Sequence, residues 1–274
     1  GISGQLSLGQ GALMAVGGYC MALLMTNQSY SLWVAIPLAM VGSALAGLLL
    51  GISAARLTGP YLAGTTLVIA LAIPTLANRF MSVLKGDEGL PVDVGYPPVW
   101  FTNLFGEPSY EQWQLYVALP FAAVALFLAS NILLSRTGRM WRAIRDNETA
   151  AALSGVNFSR QKIFVFVVSA TFAGLSGALY GLRGLVGPSV YPVSLSLLLL
   201  TAAVLGGIRS IFGAFIGTVI VVFLPDWIDA VLHQFELSEQ VSNFMPALVS
   251  SLLLILTVVI NPAGVAGTHL HKHK

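Results

Sequence analysis

Long apolar runs separated by short polar punctuation dominate the chain. Eight hydrophobic segments are predicted, near residues 5–26, 31–55, 60–80, 114–135, 161–182, 194–206, 211–225 and 244–261. Most approach or exceed the roughly 20 residues that carry a helix across a bilayer. The stretch from Ile163 to Leu182 is apolar or small on every face, and so is Leu252 to Ile260. Barrel strands alternate apolar with polar residues, so these runs point to helices. The expected fold is an all-α integral membrane protein, a polytopic bundle of about eight segments. The sixth and seventh are short, and Gly206, Gly207 and Gly213 bracket their joint, which predicts a broken or re-entrant pair. Three glycine pairs stand four apart, Gly47 with Gly51, Gly177 with Gly181 and Gly213 with Gly217. That spacing lets helix backbones approach closely in lipid.

Composition adds force to the pattern. Hydrophobic residues make up 56% of the chain and charged residues 9%, against roughly 25% charged in a soluble domain. The single cysteine, Cys20, rules out an internal disulfide and reads as a small apolar filler. No basic segment precedes the first run and Gly1 is no initiator methionine, so the start is expected to be trimmed or to lie inside a longer protein.

The charges sort the loops. Positive residues collect on the cytoplasmic side, and the densest cluster is Arg136, Arg139, Arg142, Arg145, Arg160 and Lys162. Threading alternately from that loop puts Arg56, Arg209, Lys272 and Lys274 on the same side. The loops 81–113 and 226–243 then fall outside. The first carries Asp87, Glu88, Asp93, Glu107 and Glu111, and the second Asp226, Asp229, Glu236 and Glu239. One transmembrane domain is expected over 1–268, with a cytoplasmic loop at 136–160 and a tail at 269–274. His269, His271 and His273 in that tail read as a frayed end rather than a metal site.

Catalytic chemistry finds no footing. There is no GxxxxGK[ST] phosphate loop, paired-carboxylate motif or zinc spacing. No Asp, Glu or His lies deep in a predicted span, which argues against a proton relay. Candidate pathway residues are Ser3, Gln5 and Ser7 among the glycines of the first segment, and Tyr61, Thr65 and Thr66 at the opening of the third. Against the last two stands the ordinary habit of membrane threonines, which is to bond back to their own helix. Pro74 is expected to interrupt that same segment. The turn GDEGLP at 86–91 reads either as a contact for an outer partner or as solvated turn chemistry.

The most patterned polar stretch is Ser135 to Lys162. A short helix is predicted over Gly138 to Arg145. Asp146 is expected to cap a second, with Glu148 in its first turn and Gly155 as its stop. The product is a basic-flanked, two-helix elbow with a small apolar ridge. A basic loop alone would suit anionic headgroups, but the Ala-rich helix is a feature lipid binding does not need.

This elbow and its flanks resemble the LivM-type permeases of branched-chain amino-acid ABC importers. The resemblance rests on GISGQLSLGQGALMAVGGY, LTGPYLAGTTLVIA, GDEGLP, GRMWRAIRDNETAAALSGVNFSRQKIFVFVVSATFAGLSGALYG and VLGGIRSIFGAFIG, in that order, between residue 1 and about 225. It implies a permease subunit of the bacterial inner membrane that moves branched-chain amino acids or related small polar solutes. It implies a second permease, two cytoplasmic ATPases that bind the ATP and magnesium, and an extracytoplasmic substrate-binding protein. No cofactor is expected in this chain, and no nucleic acid among its partners. By position, the ATPase-coupling role falls on Arg139, Arg142, Ala143, Ile144, Arg145, Asp146, Ala151 and Gly155. Asn147 stands where the family often has an acidic residue. The rival from another class is an ATP-independent channel or secondary carrier.

Overall fold

A computed structural model describes residues 3–5, 7–55, 57, 60–208 and 210–232, with single positions between 248 and 259. Among these the chain is almost wholly helical. The helices are α1 (Gln10–Gln28), α2 (Leu32–Ala54), α3 (Pro60–Arg79), α4 (Met81–Leu84), α5 (Val99–Phe105), α6 (Tyr110–Leu134), α7 (Arg136–Asp146), α8 (Glu148–Leu153), α9 (Phe158–Gly181), α10 (Val193–Gly206) and α11 (Ile211–Leu232). Seven of the eight predicted segments coincide with α1, α2, α3, α6, α9, α10 and α11; the eighth, 244–261, lies largely outside the described residues. Among the described residues, four helices are long and apolar enough to cross a membrane: α2, α3 from Tyr61, α6 and α9.

Several boundaries differ from the expectation for local reasons. The described residues before Gln10, 3–5 and 7–9, stay irregular, with Gly4 at φ +76°, so the first helix starts at Gln10 and not near residue 5. Helix α3 runs unbroken through Pro74. Helix α11 continues to Leu232, so Asp226 and Asp229 lie in a helix and not in an outer loop, while 233–243 falls outside the described residues. The loop 81–113 is built rather than open. It holds α4, a 3-10 turn at Gly86–Glu88, strand β1 (Leu90–Pro91) and α5. Strand β1 pairs antiparallel with β2 (Leu185–Val186), Leu90 opposite Val186. Gly89, at φ +73°, allows that close approach.

The chain divides into two compact units, residues 3–196 and a second made chiefly of 197–274. In the first, α1, α2 and α9 form the core. The glycines explain why they can. A side chain at Gly177 would run into the backbone of Met14, one at Gly174 into Ser43, and one at Gly47 into Ala170. Ser43, fully buried, donates to the Leu13 carbonyl at 3.2 Å. In the second unit, the C-terminal part of α10 packs on α11 in the same way, Gly206 against Gly213 and Gly217 against the Ala202 carbonyl. Close packing is thus what the glycine spacings encode.

Helices α1 and α9 run parallel: Gln10 meets Ser169, and Met21 lies beside Gly181. The two ends of this unit collect different loops. At the end where α9 begins lie the elbow and Leu57. At the other end residues 25–30, 91–93, 110 and 184 come together. The elbow and the 91–93 segment therefore sit at opposite ends of this unit.

Candidate functional site

The elbow is fixed at its root. Helix α7 leaves α6 through Ser135, whose hydroxyl donates to the Ile132 carbonyl at 2.6 Å. Gly138 is packed so close to the Leu133 backbone that no side chain fits. Trp141 is buried, and its indole Nε1–H donates to Gln161 Oε1 of α9 at 3.1 Å. Its ring lies 6.0 Å from that of Phe164. Ile144 is buried beside it. One face of α7 thus clamps to α9, and the opposite face, with Arg139, Arg142, Ala143 and Asp146, is exposed.

Helix α8 is short but capped at both ends. Its N-cap is Asn147, whose Oδ1 accepts from the Ala150 amide at 2.9 Å. The predicted cap, Asp146, instead ends α7 and pairs with Arg145 at 2.8 Å. Asparagine and aspartate cap about equally well, so the register moved by one residue while the chemistry stayed. Glu148 occupies the first turn as expected. At the other end Gly155 takes φ +83°, its amide donates to the Ala152 carbonyl and that of Val156 to the Ala151 carbonyl. This is a Schellman closure, which needs a left-handed residue at that point. Ala151 is buried, whereas Leu153 stands 86% exposed at the tip.

Of the eight coupling candidates, then, Arg139, Arg142, Ala143, Asp146 and Gly155 face outward, Arg145 is half-buried, and Ile144 and Ala151 hold the elbow from within. Sequence reasoning passed over Leu153, an apolar tip residue, and misread Lys162 as a loop charge. Lys162 is buried, its Nζ 3.5 Å from the Leu57 carbonyl and 3.9 Å above the Phe158 ring. It ties the turn after α2 to the start of α9.

A second polar locus lies inside the bundle. Ser169 stands eleven residues into α9, about 16 Å along its axis at 1.5 Å per residue. Gln10 Nε2 donates to Ser169 Oγ at 2.9 Å, so α1 begins roughly half-way along α9. The irregular stretch before it reaches back toward the elbow, with Gly4 against the Arg145 stem. Side chains from other helices hold the backbone there. Leu8 N–H donates to Thr66 Oγ1 at 3.0 Å, and Gly11 N–H to Ser196 Oγ at 2.9 Å. Irregular backbone at membrane depth persists only where protein buries it or where it lines a polar cavity.

The pathway candidates divide accordingly. Ser3, Gln5 and Ser7 all sit on this stretch, with Ser7 Oγ accepting from Gly9 N–H at 3.3 Å. Thr66 joins them through Leu8 while also donating to its own helix. Tyr61 is 76% exposed, and Thr65 donates back to the Tyr61 carbonyl at 2.8 Å, which is the ordinary threonine habit. Gln10, Ser169 and Ser196 were not foreseen. The only signal was small polar residues inside apolar runs, as in SLSLLLL around Ser196. Among the described residues, no three His, Cys, Asp or Glu gather as a metal site would require.

The family profile described as the permease component of the branched-chain amino acid transport system matches residues 1–260. The LivM high-affinity branched-chain amino acid permease protein of Salmonella typhimurium is 34% identical over 242 residues, covering 81% of this chain and 57% of that protein. LivM of Escherichia coli is 33% identical with the same coverage. LivH of Salmonella typhimurium is 26% identical over 97% of this chain and 87% of its own length. The chain therefore spans a little over half the length of the LivM relatives it matches. No solved structure matches it. The chain belongs to the family of branched-chain amino acid transport permease components.

Proposed function

We propose that the protein is a membrane-spanning permease subunit of an ATP-binding-cassette importer in the bacterial inner membrane, translocating branched-chain amino acids or related small polar solutes. The reading rests chiefly on the elbow. A helix pair clamped to α9 through Trp141 and Ile144, and presenting Arg139, Arg142, Ala143 and Leu153, transmits a push from below directly into the α1–α2–α9 core. Two cytoplasmic ATPases that bind ATP and magnesium supply that push. A second permease, identical or homologous, completes the pathway, and an extracytoplasmic binding protein delivers the solute. The irregular residues 3–5 and 7–9, with Thr66, line the path on this chain's side. The sequence has no phosphate loop, so the chain performs no hydrolysis itself.

Purification from the native membrane in mild detergent tests this. Two ATPases and a second permease are expected to copurify, and reconstituted uptake is expected to require ATP. Uptake by the chain alone in ATP-free liposomes would overturn the reading in favour of a channel or carrier.

A further inference from the structure

At the end of the first unit opposite the elbow lies a cavity of about 600 Å³, floored and walled by Met25, Thr26, Tyr30, Val92, Asp93 and Tyr110. Its electrostatics all have one sign. The carboxylate of Asp93 is the one charged group among the described residues that line it. That carboxylate accepts the Gly95 amide at 2.9 Å through Oδ1 alone, which leaves further lone pairs for a ligand. Met25 and Thr26 belong to the last turn of α1, where unsatisfied carbonyls carry partial negative charge and no basic residue offsets them. Tyr30 and Tyr110 line the cavity and are each about half exposed, and an aromatic ring attracts a cation over its face. Arg183 is directed elsewhere, hydrogen-bonded to the Tyr180 hydroxyl at 3.3 Å with its guanidinium 5.4 Å from that ring. Met25 and Val92 add an apolar wall. A bare metal ion is a poor match for one carboxylate among rings and aliphatic carbons. An ammonium on a short apolar stem is a good one.

We propose that this cavity is a receiving site for the ammonium group of a small apolar amino acid, with Asp93 as counter-ion, Tyr30 and Tyr110 as ring partners and Met25 and Val92 against the side chain. It deepens the importer reading and rests on it for the identity of the solute. The site attracts the amine first and leaves the carboxylate in water.

The test uses the full chain in lipid nanodiscs and two probes that divide leucine between them. Isoamylamine keeps the amine and isocaproate keeps the carboxylate. Ligand-observed NMR is expected to show isoamylamine binding and isocaproate binding at least about tenfold more weakly. Asp93→Asn retains the Oδ1 acceptor for Gly95 and is expected to weaken isoamylamine about tenfold, while Asp93→Glu holds it within about threefold. Equal binding of both probes, or amine binding indifferent to Asp93→Asn, overturns the proposal. So does an Asp93→Asn variant that binds the amine normally yet loses affinity for the binding protein, because the ammonium would then be a partner's lysine. ATP-independent uptake with amine binding intact would defeat the importer reading and leave this site standing.

Discussion

Helices α9 and α6 are nearly equal in length and both apolar, yet the chain treats them in opposite ways. Nine residues of α9 are buried within the chain, including Gly174, Gly177 and Gly181. On α6 only Trp113 and Val117 are. Sequence separates them by small residues and not by hydrophobicity. Helix α9 carries glycines where α1 and α2 must approach, whereas α6 carries Leu119, Val124 and Phe127 more than half exposed. In a membrane, lipid solvates a leucine as well as another helix does, so apolarity alone does not mark a core. Backbone proximity does.

The sharpest way to break this contrast is to add volume to α9. In Gly177→Leu the new Cβ meets the Met14 backbone, which cannot yield as a flexible side chain would. The expected cost is about 3 kcal/mol or more, read as loss of monodisperse protein and a collapsed melting temperature in detergent. Leu119→Ala or Phe127→Ala on α6 is expected to shift unfolding by less than about 0.5 kcal/mol. Comparable losses at both helices would show that α6 is covered by packing as tight as that of α9.

The next largest effect tests whether polar groups hold the core where its backbone is irregular. Thr66→Val keeps the shape of the side chain but removes the acceptor for Leu8 N–H. An unsatisfied buried amide costs about 1–3 kcal/mol. The loss is expected to appear as faster hydrogen exchange confined to residues 7–11 and as reduced uptake. Thr65→Val, which removes a hydroxyl bonded to its own helix, is expected to leave both unchanged.

How far this was legible differs between the two regions. Helical type and the positions of the long spans followed from the apolar runs. The elbow was legible too, because Ala-rich patterning with a stop glycine is a local signal. What escaped was set by long-range contacts. No local rule distinguishes Thr66, which holds Leu8 from 58 positions away, from Thr65, which bonds its own turn. Lys162 looked like one more loop cation, because only the fold brings the Leu57 carbonyl, 105 positions away, to it, while the Phe158 ring is its neighbour one turn back on α9. The cap slipped from Asp146 to Asn147 because two adjacent residues with good capping side chains leave the register to be decided by how α7 packs.

The elbow extends the comparison from packing to transmission. Gly155→Val forces a β-branched residue into φ +83°, at a cost of about 1–2 kcal/mol. The nearby space is open, so the chain is expected to fold. What should fail is the closure of α8 and the presentation of Leu153. In the reconstituted importer, uptake is expected to drop about tenfold while the ATPases continue to turn over. Uptake unchanged in Gly155→Val would remove α8 from the coupling surface.

The smallest effect belongs to Asn147, and it isolates capping from charge. If Asn147 acts only as the N-cap of α8, Asn147→Asp keeps the bond to the Ala150 amide and adds a negative charge at the helix start, worth a few tenths of a kcal/mol. Asn147→Ala loses the bond and costs about 1 kcal/mol. Hydrogen exchange at Ala150 is therefore expected to rise in the alanine variant and to hold or fall in the aspartate variant. With a six-residue helix there is little else to keep α8 folded, so uptake should follow the same order. If Asn147→Asp instead impaired uptake while protecting the Ala150 amide, the elbow surface would be reading charge at this position and not helix stability. The asparagine would then be a selected contact in its own right, on the same exposed face as Arg142 and Asp146.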